Sequence, residues 1–384
     1  MRIAQLAPPL EAVPPARYGG TERVIHTLTE ELVRRGHEVT LFASGDSHTS
    51  ARLVPTCEQA VWHRQPARDV MPVWSVVVGK LQRQLHEFDV VHSHIDHLGF
   101  AVARQSHVPV VTTLHGRLDI QEVREVLCEF ADVPLVSISN AQRRPVDWAN
   151  FVATVHHGIQ LDDFHFNPHS GDYLAFLGRV SPDKGLDTAI RVARRAGMPL
   201  KVAARMPLAT AHDVNARGDA VYWTDVVRPL LGPDVELVGE IGGSEKDEFL
   251  GNAAALLFPI RWPEPFGLVM VEALACGTPV LALHNGSVPE VVRDGLTGFV
   301  VDNEDELAAS IDRLWTIDRN VCRQDAESRF SPTAMATAYE QVYADLLERP
   351  ALNVVDLNPV PRIAADRSAE TRAVENGAAV GVRT

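Results

Sequence analysis

Apolar residues along this chain fall into two kinds of run that alternate. Short, nearly continuous apolar stretches rich in β-branched residues predict strands at Arg2–Ala7, Glu38–Ala43, Asp89–His92, Val108–Leu114, Leu135–Ser139 and Ala153–His156. Between the first two, Val24, Leu28, Leu32 and Val33 recur at helical spacing and predict a helix over Thr21–Arg35, stopped by Gly36. A second series predicts strands at Tyr173–Leu177, Leu200–Ala204, Val235–Val238, Ala255–Phe258, Pro279–Ala282 and Gly298–Val301. Helices are expected between them at Gly185–Ala196, Lys246–Ala253, Gly267–Cys276 and Glu304–Thr316. Strands that are apolar on both faces and alternate with helices imply parallel sheets covered on both sides.

The turn-rich stretch Asp162–Gly171 separates the two series, which gives two α/β domains of similar size, residues 1–165 and 166–330. The helix expected at Pro332–Leu347 has no place in the second alternation, so residues 331–348 are set apart. Residues 349–384 lack aromatic residues and periodicity and read as a tail. Ligands of such domains bind at the carboxyl ends of the strands, and two facing domains form a cleft there.

The totals narrow the function classes. Of 384 residues, 46% are hydrophobic and 22% charged, an ordinary globular balance. Fifty acidic against 36 basic residues give a net charge of −14, which argues against non-specific nucleic-acid binding. No apolar run reaches bilayer length, and the first residues read as a strand, not as a signal peptide. Cys57, Cys128, Cys276 and Cys322 are far apart, which argues against a zinc site and fits a cytoplasmic location. No basic amphipathic helix demands a membrane, which leaves a peripheral membrane contact open.

Two segments carry the candidate chemistry. In Gly178-Arg179-Val180-Ser181-Pro182-Asp183-Lys184-Gly185 a strand is expected to end before a loop with two cations, beside a helix start. That arrangement suits a diphosphate: arginine grips two phosphate oxygens and lysine acts as a point charge. In Pro263-Glu264-Pro265-Phe266-Gly267-Leu268-Val269-Met270-Val271-Glu272, two prolines stiffen the backbone around Glu264. The amides of Phe266, Gly267 and Leu268 are placed to face an anion. Glu272 lies in an apolar helix and needs a partner or a wet cleft. Carboxylates beside an anion site make sense as acceptors for sugar hydroxyls. Solvated surface charges are the competing reading of each segment.

These residues resemble a known family. Glu264 and Glu272, eight apart, look like the Glu-x7-Glu motif of retaining GT-B glycosyltransferases of the family-4 type. Gly178-Arg179 with Lys184-Gly185 resembles their phosphate-binding loop, and Gly19-Gly20 followed by Glu22 resembles their N-terminal segment. Gly286-Ser287-Val288-Pro289-Glu290 and Asp294-Gly295-Leu296-Thr297-Gly298-Phe299 match their C-terminal stretch. The resemblance covers residues 2–348. It implies two facing Rossmann-like domains, the acceptor mostly on the first, the nucleotide sugar on the second, and a last helix crossing back to the first. It also implies retention of anomeric configuration without a metal or other cofactor. Arg179 and Lys184 would then bind the diphosphate, Glu264 the donor-sugar hydroxyls and Glu272 the ribose.

In the first domain, Gly19-Gly20 would let backbone approach a ligand. By resemblance His115 sits beside the reacting sugar. His94, Ser139 and Asn140 follow strands and are expected to line the acceptor cleft. His92, His94, Asp96 and His97 are discounted as a metal set because histidines two apart on an extended chain are taken to face opposite sides. Two departures stand out: His157-Gly158 where the family often has Asn-Gly, and Arg205 where a lysine is common. The expected partners are a nucleotide-sugar donor, with uracil the favoured base, and an acceptor that is a lipid-linked sugar, a glycan or a small metabolite. An epimerase or phosphorylase of the same fold, and a non-catalytic nucleotide-sugar-binding protein, are the alternatives.

Overall fold

The computed structural model describes residues 1–16, 19–63, 69–206 and 216–348; the segment read above as a tail, 349–384, lies outside the described residues. Two parallel sheets organise the chain. The first holds β1 (Arg2–Leu6), β2 (Glu38–Ser44), β3 (Arg52–Cys57), β4 (Val90–Ser93), β5 (Val110–Thr113), β6 (Leu135–Ser137) and β7 (Phe151–Thr154) in the order 3-2-1-4-5-6-7. The second holds β8 (Leu174–Arg179), β9 (Leu200–Arg205), β10 (Val235–Gly239), β11 (Ala255–Phe258), β12 (Val280–Leu283) and β13 (Gly298–Val301) in the order 10-9-8-11-12-13. Each order reverses once, between β1 and β4 and between β8 and β11. At such a switch point the loops leave in opposite directions and open a crevice for a ligand.

The central strands are buried on both faces: β1, β4, β5 and β11 are almost wholly inaccessible. A continuous apolar core fills the second domain, and several smaller clusters fill the first. The helix Pro332–Glu348 belongs to the first domain by its packing. Its Met335, Tyr339, Val342, Tyr343 and Leu346 join Val24, Leu28 and Leu32 of the helix Gly20–Arg34 in one cluster. Glu340 fastens the outside of that contact, 2.5 Å from Arg35 and 2.8 Å from His37.

The structure adds elements that hydrophobic pattern did not reveal. The edge strand β3 is only partly buried and contains Pro55, so it shows neither an apolar run nor clean alternation. Helices at Met71–Gln84 and Gln121–Glu129 were also unassigned. Strand β8 runs two residues further than expected, so Arg179 ends the strand, registered against Arg205, and does not sit in the loop.

Candidate functional site

A cleft of about 1050 Å³ lies between the carboxyl ends of the two sheets. From the second domain Arg179, Lys184, Arg205, Glu264, Phe266, Gly267, Leu268 and Glu272 reach it, and from the first Gly19, Gly20, His94 and His115. The two walls come close where Gly20 meets Leu268: a β-carbon on Gly20 would lie 3.2 Å from Leu268 Cδ1. Any side chain there would press on the second domain.

The cations and carboxylates meet in pairs. Lys184 Nζ lies 2.5 Å from Glu264 Oε2, which joins the β8 loop to the β11 loop across the switch point. Lys246 Nζ lies 2.5 Å from Glu272 Oε1. Arg179 stands between Asp183 at 3.6 Å and Asp219 at 3.4 Å. Each cation is therefore held by a carboxylate at a position from which it can be given up to an incoming anion. Trp262 stiffens the same corner, its ring 5.3 Å from Lys184 Nζ and 5.4 Å from the Arg117 guanidinium.

Backbone geometry explains how Glu264 and the helix start are held. Gly267 precedes the helix Leu268–Ala275 with φ 78, a left-handed conformation that glycine adopts without strain. It turns the chain so that the free amides at the helix start open toward the cleft. Behind Glu264, Gly286 approaches so closely that a β-carbon would lie 2.3 Å from the Glu264 nitrogen. Ser287 then donates from its amide to Glu264 O at 3.0 Å and from its hydroxyl to Phe266 O at 2.7 Å.

Histidines form the floor on the first-domain side. His94 Nδ1 is 2.9 Å from His115 Nε2, and His94 Nε2 is 2.8 Å from Gln5 Oε1. His157 stacks on His115 with centroids 5.1 Å apart and meets Phe266 edge-on at 4.9 Å. Burial holds the pKa of His115 down to about 4 and pushes His92, His94 and His157 well below the ordinary histidine value. All four rings are neutral at pH 7 and act as hydrogen-bonding groups, not as cations.

Several expectations need correction. His92 and His94 share one face of β4, with ring centroids 4.0 Å apart, because alternation along a strand puts residues two apart on the same side. The ground given for discounting a metal was therefore wrong. His92 is bonded to Tyr343 and Thr113, each at 2.7 Å, and His94 to Gln5 and His115. Among the described residues no three His, Cys, Asp or Glu side chains converge as a metal set. Ser139 and Asn140 do not line the cleft. Ser139 Oγ caps the short helix Asn140–Arg143 and donates to Pro265 O at 2.7 Å. The Asn140 amide donates to Glu290 at 2.8 Å, so both residues join the two domains.

Lys246 and Asp219 were missed. The signal for Lys246 was present: Gly242-Gly243 follows β10 and opens a helix, Gly243–Gly251, that starts three residues earlier than expected and carries Lys246 in its first turns. Asp219 follows a stretch without clear periodicity and gave no comparable sign.

Comparison with known proteins bears on family and fold. The chain matches the model of the glycosyl transferases group 1 over residues 227–329 and that of glycosyltransferase family 4 over residues 18–153. It is 29% identical over 390 residues to the D-inositol 3-phosphate glycosyltransferase of Mycolicibacterium gilvum (strain PYR-GCK), covering 85% of this chain and 86% of that one. It is 25% identical to an uncharacterized 41.2 kDa protein in the cps region of Klebsiella pneumoniae, over 85% of this chain and 96% of the other. Among solved structures, a glycosyltransferase involved in avilamycin A biosynthesis aligns with a TM-score of 0.66 at 23% identity, over 90% of this chain and 98% of that one. Anabaena HepE, in complex with UDP and glucose, aligns with a TM-score of 0.69 at 18% identity, over 90% and 100%.

Proposed function

The chain belongs to the group 1 glycosyltransferases, with the GT-B fold, and we propose that it transfers a sugar from a UDP-sugar to an acceptor hydroxyl with retention and without a metal. The observation that carries this reading is the meeting of Arg179, Lys184, Glu264 and Glu272 at one switch point, beside the free amides of Phe266, Gly267 and Leu268. The leaving diphosphate gathers negative charge as the sugar–oxygen bond breaks. Arg179 and Lys184 stabilise it, together with the helix-start amides. Glu264 then loses Lys184 as its partner and accepts from donor-sugar hydroxyls, while Glu272 accepts from the ribose. The acceptor oxygen attacks from the face the diphosphate leaves, and the leaving phosphate oxygen takes its proton. HepE in complex with UDP and glucose, a structure of the same fold, supports the choice of uracil. Four cysteines outside any disulfide fit a cytoplasmic enzyme.

The test is donor-dependent release of UDP with excess chelator present, followed by assignment of the product's anomeric configuration by NMR. Inversion, or activity abolished by chelator and restored by a divalent ion, would sink the reading. Conversion of the donor sugar without any acceptor would identify an epimerase instead.

A further inference from the structure

The two walls of the cleft differ in chemistry. Arg179, Lys184, Arg205 and Lys246 all rise from the second domain. The first-domain wall carries two carboxylates, Glu22 and Asp96, two guanidinium groups, Arg23 and Arg117, and two tryptophans, Trp62 and Trp74, beside the Gly19-Gly20 backbone. Carboxylates accompany the cations on the second-domain wall as well, so what sets the first-domain wall apart is its pair of indole rings beside Glu22 and Asp96.

We propose that the acceptor is a neutral saccharide, seated with a ring face on Trp62 and Trp74 and with hydroxyls bonded to Glu22 and Asp96. The proposal rests on the donor assignment above and names what faces it.

Trp62 is 53% exposed and, unlike the exposed Trp148 and Trp315, lines the cleft. It is also held in place. Its amide donates to Leu10 O at 3.1 Å and that of Val61 to Pro9 O at 3.0 Å. These bonds tie the backbone at Trp62 to the loop that leaves β1, whose Pro8 and Leu10 line the same cleft. Trp74 lies in the helix Met71–Gln84, packs one side on the core cluster around Phe42 and Leu81, and turns to the cleft with the rest. Flat apolar surface of this kind suits the C–H face of a sugar ring.

The carboxylates supply the other half of sugar recognition. Glu22 lies in the first turn of the helix Gly20–Arg34, only 6% exposed although it borders the cleft. A β-carbon on Gly19 would lie 3.1 Å from Glu22 Oε2, which places the carboxyl against the glycine turn. Asp96 is in the left-handed region with φ 48, on the loop just beyond His94, and is exposed to the cleft. A carboxylate accepts hydrogen bonds from hydroxyls and repels phosphate. Burial, reinforced by Glu11, raises the Glu22 pKa to about 7, so this carboxyl can also donate. The guanidinium of Arg117 on this side is gripped at two points by Asp119, at 2.8 and 2.7 Å, tighter than the 3.4 and 3.6 Å contacts on Arg179, and Arg23 is engaged within the protein. An anionic acceptor would meet Asp96 and guanidinium groups already engaged within the protein, whereas a neutral polyol finds hydrogen-bonding carboxyl groups and a stacking face.

The test is saturation-transfer NMR on the full chain with UDP bound. The probes are methyl glycosides and disaccharides of glucose, galactose, mannose and N-acetylglucosamine, each beside its 6-phosphate. D-inositol 3-phosphate, for which several relatives are named, completes the panel. At least one neutral saccharide is expected to bind, and Trp62→Ala and Trp74→Leu to weaken it roughly tenfold. Trp62→Phe should restore most of that loss. Binding confined to phosphorylated compounds, binding unchanged in Trp62→Ala, or no neutral saccharide bound would each overturn the proposal. The thermal shift given by UDP separates this from failure of the donor reading: it should persist in both tryptophan variants, and its absence in the parent would count against the donor site itself.

Discussion

Lys184 and Glu264 stand 80 positions apart in sequence, yet the Lys184 ammonium lies 2.5 Å from the Glu264 carboxylate across the β8–β11 switch point. The lysine is thus held at the place where a diphosphate would arrive. On the proposed reading, donor binding would exchange one anion for another around it and free Glu264 for sugar hydroxyls. The lysine's effect should fall on the step in which phosphate charge develops. Lys184→Ala is expected to lower turnover at saturating donor by about 10²–10³-fold, the usual cost of one such donor. Steady-state UDP release measures it, and unchanged turnover at saturation would remove Lys184 from the charge-stabilising role.

The legibility of this site was uneven for physical reasons. Strand β11 and the first four residues of β8 are apolar and lead into punctuated loops, so Lys184 and Glu264 could be placed from spacing, whereas Arg179 was assigned to the loop and ends the strand. Family resemblance was needed to read them as a glycosyl-donor site. Partner choice was not legible: nothing local to Glu272 names Lys246, because the pair joins different helices. The edge strand β3 escaped because an edge needs no two-sided apolar run, and the helix Met71–Gln84, which carries Trp74, was not assigned. The acceptor wall was for that reason the least readable part. Ser139 and Asn140 were misplaced because a strand's carboxyl end points equally toward a ligand or toward the facing domain.

Lys246 and Glu272 form the second pair, with side chains 12% and 7% exposed. Removing one partner leaves a charge in a poorly solvated place. Lys246→Met is expected to destabilise the fold by about 2 kcal/mol, toward the lower end for such pairs because both groups touch the cleft. It should also raise the KM for donor more than it lowers kcat. The double variant with Glu272→Leu should recover much of the stability but none of the donor affinity. Urea denaturation and donor kinetics together check this, and additive stability losses would show that the two residues do not act as a pair.

The neutral histidines beneath the cleft predict an acid sensitivity of stability. The unfolded chain protonates histidine as pH falls through 6.5, whereas folded His115 does not until about pH 4. His92, His94 and His157 shift in the same direction. Between those pH values the unfolded state binds more protons, so stability is lost on acidification, by up to about 1.4 kcal/mol per pH unit for each histidine. Glu22 works the other way. Its pKa is raised to about 7, so its contribution is present below the ordinary 4.5 and lost as pH rises toward 7. Four groups against one leave a net loss below pH 6.5. Urea unfolding at pH 7.0, 6.0 and 5.0 should show it, and His92→Gln should reduce the slope by one histidine's share. A pH-independent free energy would contradict the buried neutral assignment.

Glu290 predicts how the domains are held together. Its carboxylate accepts from the amides of Asn140 at 2.8 Å and Ala141 at 2.7 Å and lies 3.2 Å from His156 Nε2. Burial works to raise its pKa, but these hydrogen bonds outweigh it and hold the value below the usual range. The group is thus an anion at neutral pH, set on the second domain and gripping the first beside the Ser139–Pro265 bond. Closure that brings acceptor to donor depends on such contacts, and misplacement by about 1 Å can cost roughly 10²-fold in rate. Glu290→Ala is expected to lower transfer by about ten- to a hundredfold and to enlarge the radius of gyration seen by small-angle scattering. Glu290→Gln, which keeps a carbonyl oxygen for one amide, should lose less. Slower transfer with unaltered scattering would assign Glu290 to local packing, and unaltered transfer would deny it any part in closure.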